Sequence, residues 1–184
     1  VAGTQFSWIN NNTAIGLPAS GNGNISAFMV SNSTNVPITA SITVIPTAVG
    51  CLGTPKTFTI TVKPTPDVNR PSDQTVCNAA ITNAVNFNGS VAGTVFNWTN
   101  NNTTIGLAAN GTGDIAPFTA IAYFNNVNTG TITVTPNAVG CTGTPEYFAI
   151  NVNPTPDLVR PQDQAICSGL ASNAIIFNSS VNGT

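Results

Sequence analysis

Short runs of alternating apolar and polar residues, bounded by Gly, Asn and Pro, recur along the whole chain. In the middle of the sequence they lie at 75–77, 84–87, 95–99, 104–107, 117–124, 131–135 and 147–152. A period of two residues is that of a strand with one buried face, and no segment has the longer period of a helix. About seven short strands separated by frequent turn signals predict an all-β, immunoglobulin-like antiparallel β-sandwich.

The strand pattern repeats along the chain. Three pairs of landmark residues, each 90 positions apart, mark the period: Trp8 and Trp98, Cys51 and Cys141, Cys77 and Cys167. A solenoid repeat has roughly 20 to 50 residues, whereas a small autonomous domain has about 100. We therefore expect tandem β-sandwich domains with a 90-residue period.

The landmarks also predict where each domain begins and ends. Residues 1–65 correspond to the C-terminal part of one repeat, residues 66–155 to a complete repeat, and residues 156–184 to the N-terminal strands of a further one. This arrangement is that of a permuted cut through a continuous array.

Charged residues are unusually rare. They make up 5% of the chain, there is no histidine, and the net charge is -2, whereas a typical globular protein has roughly 25% charged residues. Such a surface provides no field to attract nucleic acid or an anionic membrane. No apolar run approaches the roughly 20 residues of a membrane span, so we expect no membrane insertion by this segment.

Four aromatic residues are predicted to lie in the domain cores: Trp8, Phe96, Trp98 and Phe148. A tryptophan on the third strand that faces the opposite sheet is the packing centre of immunoglobulin-type sandwiches. The alternative, a platform on which sugars stack, requires exposed aromatic residues. Tyr123 and Phe124, which replace Ser33 and Thr34 of the preceding repeat, form an aromatic edge that is a candidate lateral or interdomain contact.

The cysteines suggest structural disulfides in an oxidising, extracytoplasmic compartment. In a sandwich of this order the last hairpin loop is expected at the same end as the entry of the domain, which predicts a bond between Cys77 and Cys141. Cys51 and Cys167 would then pair with cysteines of adjacent repeats or chains, including a bond from Cys167 of one chain to Cys51 of the next. Without a C-x-x-C pair or a histidine, the four cysteines do not resemble a zinc site.

The acidic and basic residues concentrate at the junctions between repeats: Asp67, Arg70, Asp73, Asp157, Arg160 and Asp163. We expect a linker ion pair in which Arg70 bridges both neighbouring aspartates and, with the linker prolines, stiffens the chain. A calcium site and a simple solvated turn are the alternatives. Two carboxylates beside an arginine are few ligands for calcium, and no metal is expected.

Asparagine-linked glycosylation motifs are frequent, and the four singled out are Asn11, Asn88, Asn101 and Asn110. They show only that glycosylation can occur if the cell has the enzymes.

Catalysis has little support in the sequence. There is no histidine to act as a base, no Gly-rich loop leads from a strand into a helix, and the few carboxylates cluster at the linkers. We expect neither an enzyme nor a bound cofactor.

Several motifs resemble a known family. The strings VAGTVFNWTNNNTTIGLAANGTGDIAPF and TITVTPNAVGCTGTPEYFAINVNPTPD, with DQAIC after them, are similar to PKD-like repeats of giant secreted surface proteins of Bacteroidetes. That group includes gliding-motility adhesins exported by type IX secretion. The resemblance implies an extracellular cell-surface filament or adhesin stalk and brings no catalytic residues with it.

The function expected from the sequence is therefore a structural repeat of an extracellular filament or stalk, stiffened by disulfides and proline-rich linkers. Two alternatives remain: a subunit that polymerises by strand exchange between chains, and a carbohydrate-binding β-sandwich module. The expected partners are neighbouring repeats or copies of the same chain, with surface polysaccharide or other cells as further candidates.

Overall fold

A computed structural model describes residues 2–123 and 125–181, so that the predicted aromatic contact at Phe124 lies outside the described residues. These residues form β-strands and two short 3-10 helices, Thr13–Ile15 and Thr103–Ile105. The strands are β1 (Gln5–Asn10), β2 (Ser20–Asn22), β3 (Ile38–Ala48), β4 (Cys51–Leu52), β5 (Lys56–Val62), β6 (Gln74–Cys77), β7 (Val95–Asn100), β8 (Asn110–Thr112), β9 (Asn128–Ala138), β10 (Cys141–Thr142) and β11 (Glu146–Asn153). The predicted all-β, immunoglobulin-like sandwich is confirmed.

The chain divides into two compact units that do not follow the sequence repeats. The first contains Val1–Val68, Gly89–Val95 and Pro136–Thr144, and the second contains Asn69–Asn88, Phe96–Thr135 and Pro145–Thr184. The first unit therefore includes two segments that belong, by sequence, to the second repeat. The division into two units does not test the domain boundaries predicted after residues 65 and 155, which stay a prediction.

In the first unit, β1 to β5 form an antiparallel sheet. Its order is β2-β1-β3-β4, and β5 pairs with β3. Alternate side chains of these strands bury a core against the 3-10 helix, because a strand points successive side chains to opposite faces. The core residues are Trp8, Ile15, Leu17, Ala40, Ile42 and Val62.

The second sheet has the order β6-β11-β9-β7-β8, and β10 pairs with β9. A second layer of the chain covers this sheet. Within that layer, isolated β-bridges join Val85 to Ile115 and Ile81 to Thr119. Phe87 from this layer packs on the sheet, with ring centroids 5.8 Å from Phe96 and 6.3 Å from Phe148.

One strand pairing differs from the prediction of purely antiparallel sheets. β6 lies parallel to β11, with Gln74 opposite Ile150 and Cys77 opposite Asn153. Parallel neighbours need a long crossover between them. Here almost the whole second repeat separates the two strands, so the first strand of the repeat closes against the last.

The triple-asparagine turns have the same structure in both repeats. The side-chain amide of Asn100 is buried and donates to the carbonyls of Asn102 at 3.0 Å and Leu107 at 3.0 Å. The Asn102 side chain in turn caps the 3-10 helix by accepting from the N–H of Thr104. Asn10 and Asn12 make the equivalent bonds in the first unit.

Both tryptophans lie in the cores. Trp98 is buried, and its indole N–H donates to the carbonyl of Gly113 at 3.1 Å. A Cβ on Gly111 would lie 2.2 Å from the ring of Trp98, so this strand position has room only for glycine. Gly21 stands in the same relation to Trp8, whose buried indole nitrogen has no hydrogen-bond partner among the described residues.

Candidate functional site

The segment after β5 is an extended linker that is buried on alternate residues. Val62, Pro64, Pro66 and Val68 are all buried, and both prolines are almost fully inaccessible to solvent. Flexible linkers instead run exposed over the surface. The first unit therefore encloses this linker as part of its packing.

Two glycines of the second repeat permit this close packing. A Cβ on Gly143 would lie 1.8 Å from the carbonyl oxygen of Pro66, and one on Gly89 would lie 2.2 Å from that of Asp67. Real Cβ atoms do not approach so closely, so a larger residue would push the backbones apart. Neither glycine was assigned a packing role from the sequence, since both occur in motifs that also suit an ordinary turn.

Asp67 fixes the end of the linker. Its carboxylate accepts from both the backbone N–H and the hydroxyl of Ser90, and these hydrogen bonds hold the pKa of Asp67 below its usual value. Ser90 was also missed in the sequence. The spacing of the two residue types in the sequence could have revealed this contact. Asp157 and Ser180 are 23 residues apart, and so are Asp67 and Ser90.

The predicted bridge from Arg70 to two aspartates is wrong in part. Arg70 forms an ion pair with Asp73 at 3.2 Å, and its Nε donates to the carbonyl of Tyr147 at 2.6 Å. Asp67 uses its carboxylate for Ser90 instead. The ion pair is about half exposed, and such surface pairs add little stability.

The second junction has the same local structure. Arg160 pairs with Asp163 at 2.8 Å, while Asp157 accepts hydrogen bonds from Ser180 and Ser179. Two hydrogen bonds from Ser180 lower the pKa of Asp157. The bond from the hydroxyl has the larger effect, and the bond from the backbone N–H comes second. Unlike Val68, which is 7% exposed, the equivalent Leu158 is 61% exposed.

The geometry argues against the predicted bond between Cys77 and Cys141, and all four cysteines are free. Cys141 pairs with Ala138, the last residue of β9. Cys77 pairs with Asn153 of β11, next to Val152, which pairs with Asn128. Asn128 is the first residue of β9, so the two cysteines lie at opposite ends of this strand. Ten residues of strand span roughly 33 Å, and a disulfide requires Cα atoms within about 7 Å. The parallel closure by β6, which the sequence did not reveal, separates the two cysteines.

The predicted glycosylation asparagines are all exposed. Asn11 and Asn101 accept hydrogen bonds through their side-chain oxygens from the N–H groups of Ser41 and Thr131. Asn88 is hydrogen bonded to Asn69, and Asn110 begins β8. Their modification stays a prediction.

A mostly apolar cleft of about 690 Å³ lies beside Tyr123, and its other lining residues are Thr104, Asn126, Val127 and Asn128. Tyr123 and Val127 are more than half exposed. In the described part of the chain, no three residues with Asp, Glu, His or Cys side chains group closely enough to hold a metal ion. The same residues include no helix that is long and apolar enough to cross a membrane.

Comparison with known proteins found one similarity. A family model described as a PKD-like domain matches residues 1–66. PKD-like domains are in general structural, non-catalytic modules of extracellular proteins, and their immunoglobulin-like fold agrees with the sheets described above. No curated protein matches the chain.

Proposed function

We propose that this chain is a structural, non-catalytic part of an extracellular filament or stalk, in which successive β-sandwich repeats serve as spacers. The observation that carries the proposal is the enclosed linker, with Pro64 and Pro66 buried and Gly143 in contact with Pro66. The similarity of residues 1–66 to a PKD-like domain supports an extracellular setting.

A spacer must transmit force and hold its length, which a flexible linker does poorly. Proline fixes its own φ angle, and burial of alternate side chains removes most of the remaining freedom. The nearly uncharged surface also suits a repeated element, because neighbouring copies do not repel one another. The finer assignment to a gliding-type adhesin of the type IX pathway rests on the sequence motifs alone.

The two junctions provide a matched test of linker burial. Thermolysin cleaves before large apolar residues, so Val68 and Leu158 are equivalent sites that differ in exposure. We expect rapid cleavage before Leu158 and protection of Val68 until the first unit unfolds, as read by mass spectrometry of the fragments. Equal cleavage rates at the two sites would contradict an enclosed, force-bearing linker.

A second candidate function is glycan binding at the cleft beside Tyr123. An exposed aromatic ring at the edge of a cleft is a surface on which a sugar ring can stack. A glycan array with the wild-type chain and with Tyr123→Ala tests this, and Tyr147→Ala serves as the control because Tyr147 is equally exposed on β11. Binding that Tyr123→Ala abolishes and Tyr147→Ala retains would support the module.

A further inference from the structure

Four asparagines of the chain are followed by glycine, the pair from which the side-chain amide is lost most readily. They are Asn22, Asn88, Asn110 and Asn182, of which Asn182 lies outside the described residues. Asparagine is chemically labile because the main-chain nitrogen of the next residue attacks its side-chain carbonyl carbon. Glycine favours the attack, since it has no Cβ to crowd that nitrogen. The dipeptide alone therefore does not rank the three described pairs.

The sheets protect two of these three pairs. Asn22 ends β2, and the N–H of Gly23 donates to a carbonyl of β1 at 2.8 Å. Asn110 begins β8, in which Gly111 lies opposite Trp98. A nitrogen held in a paired strand cannot turn toward the preceding side chain until the strands open locally. Deamidation of Asn22 and Asn110 is therefore slowed by the fold.

The third pair has no such protection. Asn88 and Gly89 lie in a loop outside the strands, and both are exposed. Among the described residues, the N–H of Gly89 has no hydrogen-bond acceptor, so the attacking nitrogen is available. Exposure also admits the water that completes the reaction. Of the three described pairs, this one is open to attack in the folded chain.

The side chain of Asn69 adds a second feature at this loop. Its amide donates a hydrogen bond to Oδ1 of Asn88, the oxygen that becomes negative as the nitrogen adds to the carbonyl carbon. A donor placed on such an oxygen stabilises the charge that develops in the transition state. The backbone N–H of Asn69 also donates to the carbonyl of Asn88 at 2.9 Å, which keeps the two residues together.

The next repeat has the same loop without either feature. Asn178 is followed by Ser179, whose Cβ crowds the attacking nitrogen, and Val159 stands at the position of Asn69. The backbone hydrogen bond from Val159 to the carbonyl of Asn178 is kept, at 2.8 Å. Asn178 is therefore an internal reference with the same backbone contact and different side-chain chemistry.

From these observations we propose that Asn88 is a site of spontaneous deamidation, which Gly89 permits and Asn69 promotes. The nitrogen of Gly89 forms a bond to the side-chain carbonyl carbon of Asn88. The bond from that carbon to the amide nitrogen breaks, and ammonia leaves with the proton of the Gly89 N–H. Water then opens the cyclic imide at one of its two carbonyls and gives aspartate or isoaspartate.

The modification alters the chain beside the enclosed linker. Isoaspartate lengthens the main chain by one atom directly before Gly89, where a Cβ would already collide with the carbonyl oxygen of Asp67. Either product also adds one negative charge and removes the asparagine of the predicted glycosylation motif at Asn88. Deamidation at this position does not require that the chain belong to a filament, so its test is separate from that of the proposed function.

The test incubates the full chain at mildly alkaline pH and follows each pair by peptide mass spectrometry, with isoaspartate identified through methylation by an isoaspartyl methyltransferase. We expect Asn88 to convert at least about tenfold faster than Asn22 and Asn110, which need local opening first. In urea the three rates should become similar, because the fold no longer protects any pair. Conversion of Asn88 in the folded chain that is no faster than at the other two would overturn the site.

Variants test the residues involved. Asn69→Val, which places the valine of the next repeat there, should slow conversion of Asn88 severalfold in the folded chain and leave the rate in urea unchanged. Asn88→Gln should remove the first acidic product on isoelectric focusing, whereas Asn110→Gln, the matched control at another exposed pair, should retain it. An unchanged or faster folded-state rate in Asn69→Val would overturn the role of Asn69, and an acidic product that persists in Asn88→Gln would overturn the assignment to Asn88.

Discussion

The carboxylate of Asp67 accepts two hydrogen bonds from Ser90, one from the backbone N–H at 2.6 Å and one from the hydroxyl at 2.7 Å. The same arrangement recurs between Asp157 and Ser180 at 2.7 Å for both bonds. The aspartate accepts from both donors of one serine. It thereby holds the linker before the repeat against the loop in which the serine lies. Its contribution depends on the carboxylate being ionised.

Acid should therefore weaken this contact. The pKa of Asp67 in the folded chain lies below the ordinary value of 3.8, so the unfolded chain binds the proton more tightly. The stabilisation is complete above pH 3.8 and is lost as the pH falls through the lower, folded pKa. Urea unfolding between pH 2 and 6 measures it.

Asp67→Asn should lower the melting temperature at neutral pH and flatten this acid dependence. Glu146→Gln, which changes a carboxylate on β11, is the control. An unchanged acid profile in Asp67→Asn would show that the Ser90 contact does not set the pKa.

Gly143→Val should destabilise the first unit by about 2 kcal/mol or more, because the added Cβ would collide with the carbonyl of Pro66. Gly53→Val is the matched control from the preceding repeat. A Cβ on Gly53 would meet the side chain of Pro46 at 2.9 Å and no buried linker backbone. Urea denaturation should show the larger loss for Gly143→Val, and equal losses would argue against a tight linker contact.

Phe148→Ala should cost about 3–5 kcal/mol, as is usual for an aromatic residue in a packed core. Phe58→Ala removes the equivalent side chain where it is almost half exposed, so about 1–2 kcal/mol is expected in the single chain. Chemical denaturation of dilute protein checks the ranking. Similar losses for both variants would mean that Phe58 is already covered in solution.

Asn100→Ala should cost about 1–3 kcal/mol, because the carbonyls of Asn102 and Leu107 would lose their donor in a buried turn. Asn97→Ala is the control, since Asn97 is exposed and its side chain bonds to Thr112 on the neighbouring strand. Thermal unfolding followed by circular dichroism distinguishes the two. A harmless Asn100→Ala change would mean that water replaces the amide.

Much of the fold could be predicted because strand formation follows from local patterns. The alternation from Glu146 to Asn153 places Phe148 inward, and asparagine is one of the residues predicted to bound the strands, as Asn100 and Asn102 do. Phe148 and both tryptophans are buried, as the alternation predicts. Residues 1–66, where the family similarity lies, follow the same pattern.

The candidate site was less predictable. The sequence drew attention to Asp67, Arg70 and Asp73 through their charge, but it paired Asp67 with the wrong group. Ser90 and Gly143 carry no unusual chemistry, and their roles arise only from the backbone beside them.

By itself, then, the sequence determined the 90-residue period and four of the seven strands predicted in the second repeat, because these depend on side chains a few residues apart. The strands predicted at 84–87, 104–107 and 117–124 are wrong: residues 103–105 form a 3-10 helix, and the other two segments carry only isolated bridges. Only the tertiary structure decided which ends of the sheet meet. The parallel contact of β6 with β11 joins residues such as Asp73 and Ala149, which are 76 positions apart. That one pairing places Cys77 at the opposite end of the sheet from Cys141, and no local pattern encodes it.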